Sequence, residues 1–132
     1  MIYIDSNIFI YAALNLEDLG DRARALLRDV QEGKQRAASS ALTFDEIVWA
    51  VRKYRSFEDS VAAGEVFLNM PNLKIVEVSG DILAMALELM RRYRLDPRDS
   101  IHAASAISKK TKVILSSDEH FDRVKEIRRK GL

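Results

Sequence analysis

Short, dense apolar runs alternate along this chain with longer segments in which apolar residues recur every three or four positions. Ile2-Tyr3-Ile4 and Val113-Ile114-Leu115 are uninterrupted, as strands buried on both faces are. Ala23, Leu26, Leu27 and Val30 form one stripe of a helix over 18–32, stopped by Gly33. Ile82, Met85, Ala86, Leu89 and Met90 form another over 79–93. The spacing also predicts helices over 7–14, 43–55 and 58–69, and strands over 36–39 and 74–78. Thr43-Phe44-Asp45-Glu46 has the form of a capping box. Asp96 and Pro97 are suited to the cap and first position of a helix reaching to about Lys110. A strand over 112–115, a turn or short helix from Ser116, and an edge strand over 124–129 complete the chain. Strands alternating with helices predict an α/β fold: a three-layer α/β/α sandwich around a mainly parallel sheet.

Gly and Pro are sparse, 5 and 2 in 132 residues, and punctuate elements rather than domains, so one domain over 1–132 is expected. No apolar run approaches the roughly 20 residues of a membrane span. Met1-Ile2-Tyr3-Ile4-Asp5 lacks the basic and long apolar regions of a secretory signal, which makes the cytoplasm the expected location. The absence of cysteine excludes disulfides, zinc–thiolate sites and thiol nucleophiles. Only His102 and His120 are present, which argues against a multi-histidine metal site. No Gly-rich phosphate loop and no serine–histidine triad can be assembled. Arg91, Arg92, Arg94 and Arg98 form one basic cluster, and Arg123, Lys125, Arg128, Arg129 and Lys130 another. Each is either a phosphate-attracting patch or a solvated surface.

The informative residues are acids. Asp5 and Asp118 follow the two most apolar strands, at the carboxyl edge where open parallel sheets bind ligands. Glu46 and Asp99 stand near the starts of amphipathic helices. Each has a plain structural reading: Asp5 and Asp118 as caps, Glu46 as the partner of Thr43, Asp99 as a first-turn carboxylate favoured by the helix dipole. Serine or threonine would cap equally well with no charge to desolvate, so the recurrence of acids favours a shared cation. Clustered carboxylates are unfavourable without one, and magnesium or manganese takes oxygen ligands. Asp122 is a fifth candidate ligand, or a solvated acid paired with Arg123 or Lys125. His102 lies three positions after Asp99 and reads either as a hydrogen-bonded core residue or as a neighbour of the site. Trp49, three after Glu46, reads as core, as a stacking platform for a base, or as a contact for a partner's apolar side chain.

Four segments together resemble the PIN domain family. These are Tyr3-Ile4-Asp5-Ser6-Asn7-Ile8-Phe9-Ile10-Tyr11, Ser40-Ala41-Leu42-Thr43-Phe44-Asp45-Glu46-Ile47, Leu95-Asp96-Pro97-Arg98-Asp99-Ser100-Ile101-His102-Ala103-Ala104 and Ser116-Ser117-Asp118-Glu119-His120-Phe121-Asp122. They occur in the family's order over almost the whole chain, and the pattern is most similar to the VapC-type toxins of prokaryotic toxin–antitoxin pairs. Ser100 and Ser117 stand where alanine and threonine are common, and the second exchange keeps the hydroxyl.

The resemblance implies a magnesium- or manganese-dependent endoribonuclease that hydrolyses RNA through metal-activated water, leaving 5′-phosphate and 3′-hydroxyl ends. Asp5 and Asp99 would be the main ligands, with Glu46 and Asp118 completing the acidic pocket. Ser6, Asn7 or Ser117 would orient ligands or water. Lys53, Arg98 or Arg123 would hold the RNA backbone. A small antitoxin, seated near Trp49, and a homodimer are implied as partners, with no membrane. The alternatives are a PIN nuclease of RNA processing and a catalytically silent interaction module.

Overall fold

A computed structural model describes residues 1–132. Five strands form one sheet in the order β3-β2-β1-β4-β5: β1 (Ile2–Ile4), β2 (Ala37–Ser40), β3 (Leu73–Val76), β4 (Val113–Leu115) and β5 (Arg128–Lys130). Every neighbouring pair is parallel, with Tyr3 opposite Ala38 on one side and Ile114 on the other. The sequence reading placed β2 one residue early, β3 one residue late and β5 four residues early. Val124 and Ile127, which suggested a strand from 124, are buried in the core before β5 begins.

Six helices cover the sheet: α1 (Ser6–Leu14), α2 (Asp18–Gln31), α3 (Ala41–Tyr54), α4 (Phe57–Leu68), α5 (Gly80–Tyr93) and α6 (Pro97–Ser108). A single 3₁₀ turn, Glu119–Arg123, follows β4. Two cores result. One joins Tyr3, Ala38 and Ile114 to α5, α6 and the 3₁₀ turn; the other joins Ile4, Ala37 and Leu115 to α1–α4. Alternate residues of β1 therefore enter opposite cores, which is why its apolar run is continuous. No helix is long and apolar enough to cross a membrane.

Helices α1 and α3 start directly after the carboxyl ends of β1 and β2. Asp5 caps α1, accepting from Ser6 N at 2.7 Å. The capping box expected at Thr43 does not form. Ser40 caps α3 instead, accepting from Leu42 N, and Thr43 is buried with its hydroxyl 2.8 Å from that of Ser39. Asp96 occupies the cap position of α6 without a side-chain cap bond; its carbonyl accepts from both the backbone and the hydroxyl of Ser100.

Strand order reverses between β1 and β4. From β1 the chain winds outward through β2 to β3, then crosses back to β4 and β5. The crevice at such a reversal lies outside the carboxyl ends of the central strands. Residues after Ile4 and Leu115 are thereby brought to one place.

Candidate metal centre

Asp5 is 5% exposed and held from two sides. Ser6 N donates to one carboxylate oxygen, and Ser116 Oγ donates to the other at 2.6 Å. Ser116 also accepts from Asn7 Nδ2 and from Asp118 N, so one hydroxyl joins the ends of β1 and β4. Asn7 Nδ2 donates in addition to Ser117 Oγ, which lies 2.7 Å from the Tyr11 hydroxyl.

Glu46, Asp99 and Asp118 line one open cleft of about 540 Å³, with Asp96, Arg98 and His120. Asp5 does not line this cleft but lies near enough for its charge to act on Asp99. Burial, then the charges of Asp118 and Asp5, push the Asp99 carboxyl up to about 6, against the opposing effect of a hydrogen bond with His120. Three of the four acids singled out in the sequence thus line the cleft, and Asp5 is linked to them by its charge on Asp99.

Both histidines belong to the site. His120 Nδ1 lies 3.2 Å from Asp99 and 3.1 Å from Asp118. Donor atoms of Asp96, Asp99 and His120 all fall within 4.8 Å of one another. His102 is buried between α3, α6 and β1, with Nε2 2.6 Å from Glu46 and 3.5 Å from Asp5, and Nδ1 2.8 Å from the Tyr3 hydroxyl. Burial alone would depress the His102 imidazolium; the hydrogen bond to Glu46 and the charges of Asp5, Glu46 and Asp99 outweigh it and raise its proton affinity. Tyr3 is pushed well above its usual range by burial and by Asp5, and stays a neutral phenol.

The donor set fits a hard divalent ion such as magnesium or manganese: carboxylates supply the charge, and hydroxyls and an amide surround them. Asn7 Oδ1 is buried without any hydrogen-bond donor. Such an orphaned acceptor calls for a donor from outside the chain, as an ion's bound water provides. The raised Asp99 marks the missing positive charge from the electrostatic side.

A family model described as PIN domain matches residues 2–127. The chain belongs to the PIN domain family. A search of curated protein sequences finds no significant match. Several solved structures share the fold of this PIN domain. VapC20 of Mycobacterium tuberculosis, described as a sarcin-ricin loop cleaving toxin, matches with a TM-score of 0.78 at 15% identity, over 95% of each chain. FitAcB of Neisseria gonorrhoeae matches at 0.74 and 16%, over 98% of this chain and 96% of that one. VapBC2 of Rickettsia felis, solved bound to a fragment of promoter DNA, matches at 0.72 and 20%, over 99% and 98%.

The other sequence candidates divide. Arg98 lines the cleft and, with Trp49, Glu46 and Ile10, an adjoining cavity of about 340 Å³. Trp49 is 62% exposed, which removes its reading as core. Lys53 Nζ lies 4.9 Å from the Trp49 ring centre and 5.3 Å from that of Tyr54. Arg123 donates to the Arg94 carbonyl at 3.0 Å and does not line the cleft. Asp122 pairs with neither Arg123 nor Lys125: Arg129 Nε and Nη2 donate to its two oxygens at 2.9 and 3.1 Å. Ser6 is buried beside Asp5. Sequence reasoning gave no site role to Tyr11, Asp96 or Ser116. The position of Ser116 directly after β4, mirroring Asp5 after β1, was its available signal.

Proposed function

We propose that residues 1–132 act as a single-domain, divalent-metal-dependent endoribonuclease, the toxin component of a toxin–antitoxin pair. One observation carries the nuclease reading: Glu46, Asp99 and Asp118 line one cleft with Asp5 near enough to act on Asp99, whose carboxyl is pushed up to about 6 by burial and by its acidic neighbours.

Asp5, Asp99, Glu46 and Asp118 would hold magnesium or manganese, and Asp122 stands outside this set because Arg129 engages both its oxygens. When bound, the ion neutralises charge on the scissile phosphate and lowers the pKa of water towards neutrality. The remaining work belongs to the chain. Ser116 and Ser6 fix Asp5. Asn7, Ser117 and Tyr11 form a polar wall with the free Asn7 Oδ1 available to accept from water. Arg98 supplies a guanidinium at the cleft for a phosphate of the RNA backbone. No side-chain nucleophile is required, and the expected products carry 5′-phosphate and 3′-hydroxyl ends.

The toxin reading is supported by the VapC20, FitAcB and VapBC2 likenesses together with this chain's apolar surface. Phe9, Leu27, Ile47, Val66, Phe67 and Met70 line an open apolar groove of about 240 Å³. Trp49, Tyr54 and Phe57 are also exposed on α3 and α4. A small antitoxin seated near Trp49, and a homodimer, would cover such surface; the cytoplasm is the matching location.

Incubating the purified protein with total RNA tests the nuclease reading. Cleavage with magnesium or manganese, abolished by a chelator and by Asp5→Asn, is expected; metal-independent cleavage, or none with any divalent ion, would contradict it. Expression that arrests host growth, relieved by the product of an adjacent gene, separates a toxin from an RNA-processing enzyme.

A further inference from the structure

His102 presents an unexplained choice of residue. It is 1% exposed, and the α6 residues beside it, Ala103, Ala104 and Ala106, are small and apolar. An aliphatic side chain would pack there without any polar group to satisfy. A buried imidazole is tolerated only when both ring nitrogens are bonded. Here both are, and by different elements: Tyr3 of β1, 99 positions away, and Glu46 of α3, 56 positions away.

We propose that His102 is a positioning residue for the metal centre: its Nε2–H fixes the Glu46 carboxylate at the cleft while Tyr3 braces the ring from the other nitrogen. The proposal rests on the metal-dependent reading above. Glu46 is the acid in most need of such help. It projects from within α3 rather than from a strand end, on a side chain with three torsions, and its only protein hydrogen bond is to His102. Asp5, by contrast, is fixed by its own backbone and by Ser116. Freezing a free glutamate on metal binding costs side-chain entropy, and an imidazole held rigidly in the core removes most of that cost beforehand. One oxygen of Glu46 is occupied by the ring, and the other has no protein partner. The role needs only the Nε2–H, which the Nε2 tautomer and the imidazolium both supply. Partners that orient ligands from behind commonly matter about 10–100-fold in metal affinity.

Two polar substitutions of different reach test this. His102→Gln places an amide N–H near the position of Nε2; His102→Asn keeps an amide beside Tyr3 but falls short of Glu46. Titrating manganese calorimetrically should show affinity reduced about 10–100-fold by His102→Asn, with most of it recovered in His102→Gln. In a Glu46→Ala background the two exchanges should make no further difference. In the metal-free wild type, nuclear magnetic resonance should show a slowly exchanging His102 Nε2–H proton that becomes labile in Glu46→Ala. This last measurement decides the matter even where His102→Asn does not fold. Wild-type affinity in a folded His102→Asn protein, or a labile ring proton in the wild type, overturns the proposal. A wild type that binds no manganese overturns the metal reading instead, and the ring proton still decides whether His102 holds Glu46.

Discussion

Ser116 donates its hydroxyl to Oδ2 of Asp5 at 2.6 Å, across 111 positions of sequence. It joins the residue that follows β1 to the residue that follows β4, at the point where the strand order reverses. The same hydroxyl accepts from Asn7 and from the backbone of Asp118, so three groups from the two strand ends meet on one oxygen.

Ser116→Ala should therefore disturb site and fold together. It removes a charge-assisted hydrogen bond to a buried carboxylate and leaves the Asp118 N–H without its acceptor. Denaturant unfolding should show a loss of about 1–3 kcal/mol, and manganese affinity should fall about tenfold. Unchanged affinity would mean that Asp5 needs no fixing from β4.

Asp99→Asn should separate stability from metal binding. It removes the charge that Asp118 and Asp5 repel, while the isosteric amide keeps the packing. A metal-free melting temperature raised by a few degrees is expected, with manganese affinity and RNA cleavage both lost by more than about 100-fold. Calorimetry beside thermal melts checks both halves. A lower melting temperature would point to a structural carboxylate.

The pH dependence follows from Asp99 and His102. Folded, Asp99 keeps its proton up to about 6, and unfolded only to about 3.9. Between those values the folded state binds more protons, so metal-free stability rises as pH falls from 7 to 5. His102 acts in the same direction, because its folded proton affinity is raised: its contribution is complete below about 6.5 and is lost as pH climbs past its folded value. Asp99 alone should contribute on the order of 1–2 kcal/mol, allowing for its partial exposure. Divalent metal should reverse the trend, binding more weakly below about pH 6 as Asp99 takes up its proton. Melting curves at pH 5.5 and 7.5, with and without manganese, test the crossing.

Gly20 offers a check on the fold that leaves the site alone. A Cβ there would lie 1.9 Å from the Asn15 carbonyl oxygen, which is backbone and cannot step aside. Gly20→Ala should cost about 1–3 kcal/mol without altering the manganese dependence of cleavage in the folded protein. Chemical denaturation and cleavage assays read the two effects separately.

Strand-end acids were legible in the sequence because β1 and β4, buried on both faces, leave no polar residue until the chain exits at Asp5 and Ser116. The α/β/α order followed from the same runs. What local pattern could not give was the choice among long-range partners. Thr43 satisfies the rule for a cap, yet Ser39, placed by β2, draws its hydroxyl inward and Ser40 caps instead. Asp122 has Arg123 and Lys125 close in sequence, but β5 returns Arg129 with two parallel donors. His102 shares a face with Asp99 by spacing, while its partner Glu46 comes from a helix whose approach only the folded sheet determines. Trp49 had an apolar side chain to hide and neighbours that could hide it; its exposure is set by the orientation of α3.

Anomalous diffraction from crystals soaked in manganese tests the central claim most directly. A peak coordinated by Asp5 and Asp99, with Glu46 and Asp118 completing the acidic pocket, is the predicted result. An empty acidic cleft at saturating manganese, or a peak held only by surface acids outside it, would contradict the account.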